Sequence, residues 1–255
     1  ADLSVPGAHD VDVWTTLTGD GDTSNDTLLS SVNNLSGISS FPYLENFDGT
    51  GGLLIQSTSD DMDWSIDALG TSSGGTGPSV DVTPGLGGSG NYFYTEASSP
   101  NYPSKSAIFQ STCLDVATLA NPFIEFYWHM YGAGMGSLTL DIYDGANWNT
   151  VWTKSGDQGD VWNKESIDLS SYGTIIRYRF SGITGNDFTS DMALDDILVF
   201  DKPADDAAIT ALVSPMDDCG LTSSETVTAT VYNNGLNTIN SVDIGLRVDG
   251  IVVAT

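Results

Sequence analysis

The 255-residue chain carries 34 acidic against 7 basic side chains, a formal charge of −27, together with 28 glycines and 10% aromatics. A field of that sign excludes nucleic-acid backbones and anionic membranes as partners and favours cations, and no stretch approaches the run of about 18 apolar residues that membrane insertion needs. Two cysteines, Cys113 and Cys219, exclude a disulfide scaffold and a CxxC metal or redox site, and leave a single bridge between them open.

In chain order, residues 1–35 read as strands around an acidic turn, GDGDTSND. Asp20, Asp22 and Asp26 have a calcium-loop look, but the sixth position is Asn25 and the twelfth Ser31, where an EF-hand needs Gly and Glu, so a plain turn is expected. No signal-peptide pattern opens the chain, and residue 1 reads as internal to something longer. Asn25 and Asn34 begin N-x-S/T sequons, and Asp26, Thr27 and Leu28 form a short O-glycosylation-like triplet. The polar stretch SVNNLSGISS then reads as a linker.

Residues 40–202 have the size of a two-sheet sandwich. Alternation is clearest in FIEFYWHMY, where Ile124, Phe126, Trp128 and Met130 share one face. Leu138, Leu140 and Ile142 repeat it, as do Ile176, Tyr178 and Phe180. After a second linker, DKPADD, residues 206–255 alternate again at Val227, Ala229 and Val231 and at Val242, Ile244, Leu246 and Val248. With no stripe of period 3.6, the fold class expected is all-β.

Residues 40–202 resemble a MAM domain, an extracellular jelly-roll module. The likeness rests on ENFDG, DDMDW, GPSVDVTPG, GNYFYTEASS, the run FIEFYWHMYGAGMGSLTLDIY, WNTVWTKSGDQGDVWNKESIDLSSY, IIRYRFSGITG and SDMALDDILV, in the family's order. Animal members carry more cysteines, which points to a bacterial version. Residues 206–255 and 1–35 resemble the opening and closing strands of an immunoglobulin-like, CARDB-type module. The combination resembles giant repetitive surface adhesins of gliding bacteria that use type IX secretion, which implies neighbouring repeats of the same polypeptide as partners, and surface glycans or proteins as ligands.

The MAM resemblance also implies a structural calcium ion, with Asp48, Asp81 and Asp195 as first candidates and Glu45, Asp63 and Asp196 as second. A hard cation needs six to eight converging oxygens; the competing reading makes these acids solvated turn residues, and the net charge a solubilising surface. Catalysis has little to build on: His9 and His129 are the two histidines, no Cys or His stands at zinc spacing, and neither GxSxG nor HExxH occurs. Gly-rich GTSSGGTGP and GLGGSGNY lack the lysine of a phosphate loop. Arg177 and Arg179 share a strand face and fit cross-strand acids or an anionic ligand. Trp64, Trp148, Trp152 and Trp162 fit either a core or a sugar-stacking surface. The function expected is an extracellular structural and adhesive segment of a tandem-repeat surface filament, not an enzyme; the alternative is a carbohydrate- or protein-binding accessory region of a secreted hydrolase or protease.

Overall fold

The computed structural model describes residues 1–3, 5–49, 52–82 and 90–254. Its described residues contain no α-helix, only strands and two 3₁₀ turns, Thr23–Asn25 and Ser170–Tyr172. The fold is all-β, and the chain divides into two units, Ala1–Phe200 and Asp201–Thr255.

In the first unit, β1 (Gly7–Trp14) and β2 (Thr27–Asn34) form a two-stranded antiparallel ladder. The acidic stretch between them is the expected turn: Asp22 caps the 3₁₀ turn by accepting from the Ser24 amide, and Asp20 accepts from the Asp22 amide. SVNNLSGISS is more than a connector. Its first four residues finish β2, and β3 (Gly37–Ile38) runs parallel to β9 (Cys113–Asp115), with Ile38 buried in the core.

The remaining strands are β4 (Tyr43–Glu45), β5 (Leu54–Gln56), β6 (Ser65–Asp67), β7 (Tyr92–Tyr94), β8 (Ser106–Ser111), β10 (Pro122–Met130), β11 (Ser137–Tyr143), β12 (Trp148–Ser155), β13 (Asn163–Asp168), β14 (Ile175–Ile183) and β15 (Met192–Asp201). They build two sheets. One has the order β13-β10-β15-β7-β6, with β4 also on β15; the other has the order β12-β11-β14-β8-β5, with β9 also on β14. Apolar side chains of both sheets belong to a single cluster, as in a sandwich. An aromatic relay crosses it, with Phe93–Phe109 centroids 5.1 Å apart, Phe109–Phe180 5.5 Å, Phe126–Phe180 5.0 Å and Phe126–Trp152 5.2 Å.

The alternating faces at 124–130, 138–142 and 176–180 are all core. The opposite face of β10 corrects the simplest form of that reading, because it is covered too. Glu125 and His129 are buried, Glu125 paired with Lys164 at 2.6 Å and His129 with Asp160 at 3.1 Å. Along β15 the core side chains are Met192 and Leu194, then Ile197 and Val199. That odd step marks a bulge at Asp195–Asp196, where Asp196 takes φ +44°, and both acids leave the core face together.

In the second unit, β16 (Ala207–Ser214) pairs with β17 (Thr228–Asn233), and β18 (Leu246–Val248) with β19 (Ile251–Ala254). The expected strand over 242–248 is realised only at Leu246–Val248. Val242, Ile244 and Val248 are exposed, and Ile244 and Leu246 meet Ile209 and Leu212 of β16 only across an open cleft, so the segment is not packed onto that sheet.

Candidate functional site

Asp81 and Asp195 come together. The bulge turns Asp195 outward from β15, and the segment 80–81 covers it, held in place by Trp162, whose indole N–H donates to the Val80 carbonyl at 2.9 Å. Trp162 in turn packs on Tyr92 and His129, with centroids 5.9 and 5.3 Å away. Asp81 is 5% exposed and Asp195 1%. The two carboxyl groups share a hydrogen bond, and burial, followed by the neighbouring Asp81, drives the Asp195 carboxyl far above the usual carboxylate range. Its Oδ1 accepts from the Asp196 amide at 2.7 Å, whereas Asp195 Oδ2 and Asp81 Oδ1 are buried and, apart from the hydrogen bond the two carboxyl groups share, have no partner among the described residues.

Gly90 fits against this pair: a Cβ there would lie 1.4 Å from Asp81 Oδ2. The next residue, Asn91, donates its amide to Asp48 Oδ1 at 3.0 Å, which sets Asp48 one residue along the same backbone. Asp48 is exposed and also accepts from the Asn46 side chain. The arrangement suits a cation. Two buried carboxylates with orphaned oxygens are the groups a hard ion would satisfy, with backbone carbonyls and water completing the shell. Among the described residues no ready-made set of three or more acid, His or Cys ligands converges, so Asp48 does not form a set with the pair.

The other candidates sit elsewhere. Glu45 is buried, but Tyr43 Oη donates to it at 3.3 Å and the Phe47 amide at 3.2 Å, and burial raises its pKa. Its Oε2 rests on Gly52, whose added Cβ would lie 1.5 Å away. Asp63 is exposed, with no hydrogen bond or ion pair among the described residues. Asp196 is half-buried beside Leu44, Tyr127 and Lys164.

An acid not singled out by sequence is Asp191, fully buried immediately before β15. It accepts from the Ala97 amide at 2.8 Å, while its own amide donates to Thr76 Oγ1 at 2.9 Å, so it pins the GTSSGGTGP turn. Burial pushes its carboxyl up to about 6. The signal was an aspartate between Ser190 and Met192 in a run of otherwise buried residues. The second Gly-rich stretch, GLGGSGNY, lies mostly outside the described residues.

The tryptophans divide. Trp64 and Trp152 are 2% and 9% exposed and belong to the core, the first of the two readings open to them in the sequence; the alternation that exposes a strand face leaves such large rings on the inner one. Trp162 spends its N–H on Val80, and Trp148 remains half-buried. Arg179 pairs with Asp141 across β11 and β14 at 2.6 Å. Cys113 and Cys219 are both free.

The family model for the MAM domain, meprin/A5/mu, matches residues 46–204, more than half of the chain. The chain belongs to the MAM domain family. Similar proteins include thyroid hormone-induced protein B of Xenopus laevis, 32% identical over 136 residues that cover 52% of this chain and 19% of that protein. MAM domain-containing glycosylphosphatidylinositol anchor protein 1 of Gallus gallus is 30% identical over 152 residues, covering 56% of this chain and 15% of that protein. The chain thus spans less than a fifth of the length of these curated relatives. Among solved structures, the K1 cleaved adhesin domain of Lys-gingipain from Porphyromonas gingivalis W83 aligns over 63% of this chain and 98% of its own at 14% identity, with a TM-score of 0.43. A carbohydrate-binding module in complex with β-1,4-galactotriose aligns over 58% of this chain and 87% of its own at 15% identity, with a TM-score of 0.37.

Proposed function

We propose that this chain is a stretch of an extracellular adhesive protein, in which a non-catalytic MAM jelly roll is stiffened by a calcium ion and flanked by parts of immunoglobulin-like modules in a tandem surface array. The observation that carries the reading is the buried pair Asp81 and Asp195, with one oxygen on each that, beyond the other carboxyl group, has no partner among the described residues. Oxygens with no access to solvent cannot hand a proton to a substrate, so the raised pKa of Asp195 is a poor general acid and a good cation site. Asp81 and Asp195, joined by Asp48, would hold the ion. Calcium suits an irregular set completed by carbonyls and water better than the smaller, strictly octahedral magnesium does. The chemistry supplied is structural: neutralising the pair and tying Asp81 to β15.

The array reading draws on the terminal ladders. Trp14, Leu28 and Leu29 on β1 and β2 are 67%, 67% and 70% exposed, and Ile209, Leu212 and Ile251 in the second unit are 61%, 64% and 69% exposed. Two-stranded ladders with such faces are marginal alone and become stable when a second sheet covers them. Companion strands from neighbouring repeats would supply that sheet, in a filament of the kind found on gliding bacteria. Surface glycans or proteins are the ligands it would meet.

Melting with calcium and with chelator tests the clamp. Calcium at 100-fold its Kd stabilises by about 2.7 kcal/mol, a shift of roughly 5–10 °C for a domain of this size, and Asp195→Asn abolishes the shift. An unchanged midpoint removes the metal. Small-angle scattering from a longer stretch of the parent chain tests the array, since a compact particle instead of a rod would end that reading.

A further inference from the structure

Beyond the spacer and clamp roles, we propose that the jelly roll carries a binding site for an acidic saccharide, with the Arg177 guanidinium receiving its carboxylate at the mouth of a cavity between the end of β2 and the β9–β14 edge. Five lysines and arginines lie among the described residues of the first unit. Four pair with an acid: Lys105 with Asp61, Lys154 with Glu165, Lys164 with Glu125 and Arg179 with Asp141. Arg177 does not. In a chain with 34 acids to 7 bases, a half-buried arginine without a carboxylate is a site kept open for one from outside.

The guanidinium is held in place without spending its donors. It lies over the rings of Tyr143 and Trp148, 4.5 and 5.3 Å from their centroids, and Arg179 lies 4.3 Å from the centroid of Trp148. Stacking fixes the plane of the fork and leaves its N–H groups free, the state suited to bidentate capture of a carboxylate. The cavity beside it has a volume of about 340 Å³ and is lined by Asn33, Asn34, Tyr143, Ile175 and Arg177 among others. That lies at the lower end of the ~300–1,000 Å³ range of small-molecule sites, a size for a mono- or disaccharide.

The lining separates an acidic sugar from other ligands. The exposed side chain of Ile175 suits the C–H face of a pyranose, and Asn33, exposed and with no side-chain hydrogen bond among the described residues, offers an amide to hydroxyls. The stacked arginines take up the aromatic faces that a neutral sugar would need, so recognition falls to the charge. The repulsion of the whole chain is screened beyond about 8 Å at physiological salt, which leaves the local guanidinium in control.

The test is calorimetric titration with trigalacturonate, alongside its fully methyl-esterified form, which keeps the shape and lacks the charge. Binding of the acid, roughly tenfold or more tighter than of the ester, supports the site, as does a similar loss in Arg177→Met at an unchanged melting midpoint. Equal binding of acid and ester by the unmodified protein, or no heat with the acid at millimolar concentration, overturns it and needs no variant. The titration is repeated with chelator well below the melting midpoint. Binding that persists places the ligand at Arg177, whereas binding that requires calcium assigns it to the acid pair and overturns the proposal while leaving the clamp standing. An acidic peptide that binds as tightly as the trisaccharide also counts against it.

Discussion

Gly90 stands so close to Asp81 that its α-hydrogen occupies the only space available, since an added Cβ would lie 1.4 Å from Oδ2. Gly90→Ala must therefore push the carboxylate away from Asp195 or displace the 80–81 segment. Overpacking of this kind costs about 1–3 kcal/mol. Chemical denaturation is expected to show that loss together with a weakened calcium response, whereas Gly74→Ala, with no atom near its added Cβ, is expected to show neither.

Without metal, Asp195 holds its proton in the folded chain far above the pH at which an unfolded aspartate releases it. The folded state then binds more protons, so stability falls as pH rises above about 4. Asp195→Asn should flatten that slope and stabilise the chelated protein at neutral pH. In saturating calcium the same substitution should destabilise, because it removes a ligand charge. Melting curves in both buffers, at several pH values, would show the crossing.

Asp191 and His129 give slopes of opposite sign. The Asp191 carboxyl, raised to about 6 by burial, penalises folding once the unfolded chain has ionised, so its cost builds between about pH 4 and 6 and is complete above. Asp191→Asn, which keeps an acceptor for the Ala97 amide, is expected to recover about 2–3 kcal/mol at pH 8 and nothing near pH 3.

His129 works the other way. Burial lowers its pKa, with Asp160 opposing, so the unfolded chain takes up the proton first. Its contribution is full above about pH 6.5 and is lost as pH falls below that value. Replacing His129 with Gln should remove that acid-side slope, which urea titrations at pH 5 and pH 8 would measure; an unaltered difference between the two would locate the acid sensitivity elsewhere.

Trp64 meets Phe93 at 5.7 Å and Phe109 at 5.3 Å and donates its indole N–H to the Ala107 carbonyl at 3.0 Å. Trp64→Ala leaves a cavity and an orphaned carbonyl, and is expected to cost about 3–5 kcal/mol. Trp148→Ala, at a half-buried position, should cost far less, and parallel melts would rank the two.

Period-two alternation located the core faces of β10, β11 and β14 correctly because each strand has one fully apolar side. It could not show that loops cover the other side of β10, since Glu125 and His129 look like solvent residues until Lys164, Asp160 and Trp162 arrive from distant positions. Asp81 and Asp195 were legible through family resemblance alone. Their meeting depends on a bulge at Asp195–Asp196, which no local propensity announces, and the same dependence on distant contacts hid Asp191 and sent Glu45 to Tyr43 and Phe47. Trp64 and Trp152 were ambiguous because a large ring has the same sequence signature whether it anchors a core or a ligand.

The pairing of β4 with β15 has a mechanical consequence. Tyr43 lies opposite Val199 and Glu45 opposite Ile197, so once the short parallel β3–β9 pair is released the chain enters and leaves at the same end of one antiparallel ladder. Tension along the polypeptide opens that ladder one hydrogen bond at a time, beginning at Tyr43, and not all at once in shear. An ion held at Asp195, two positions past the last of those rungs, would stand where such an opening stops.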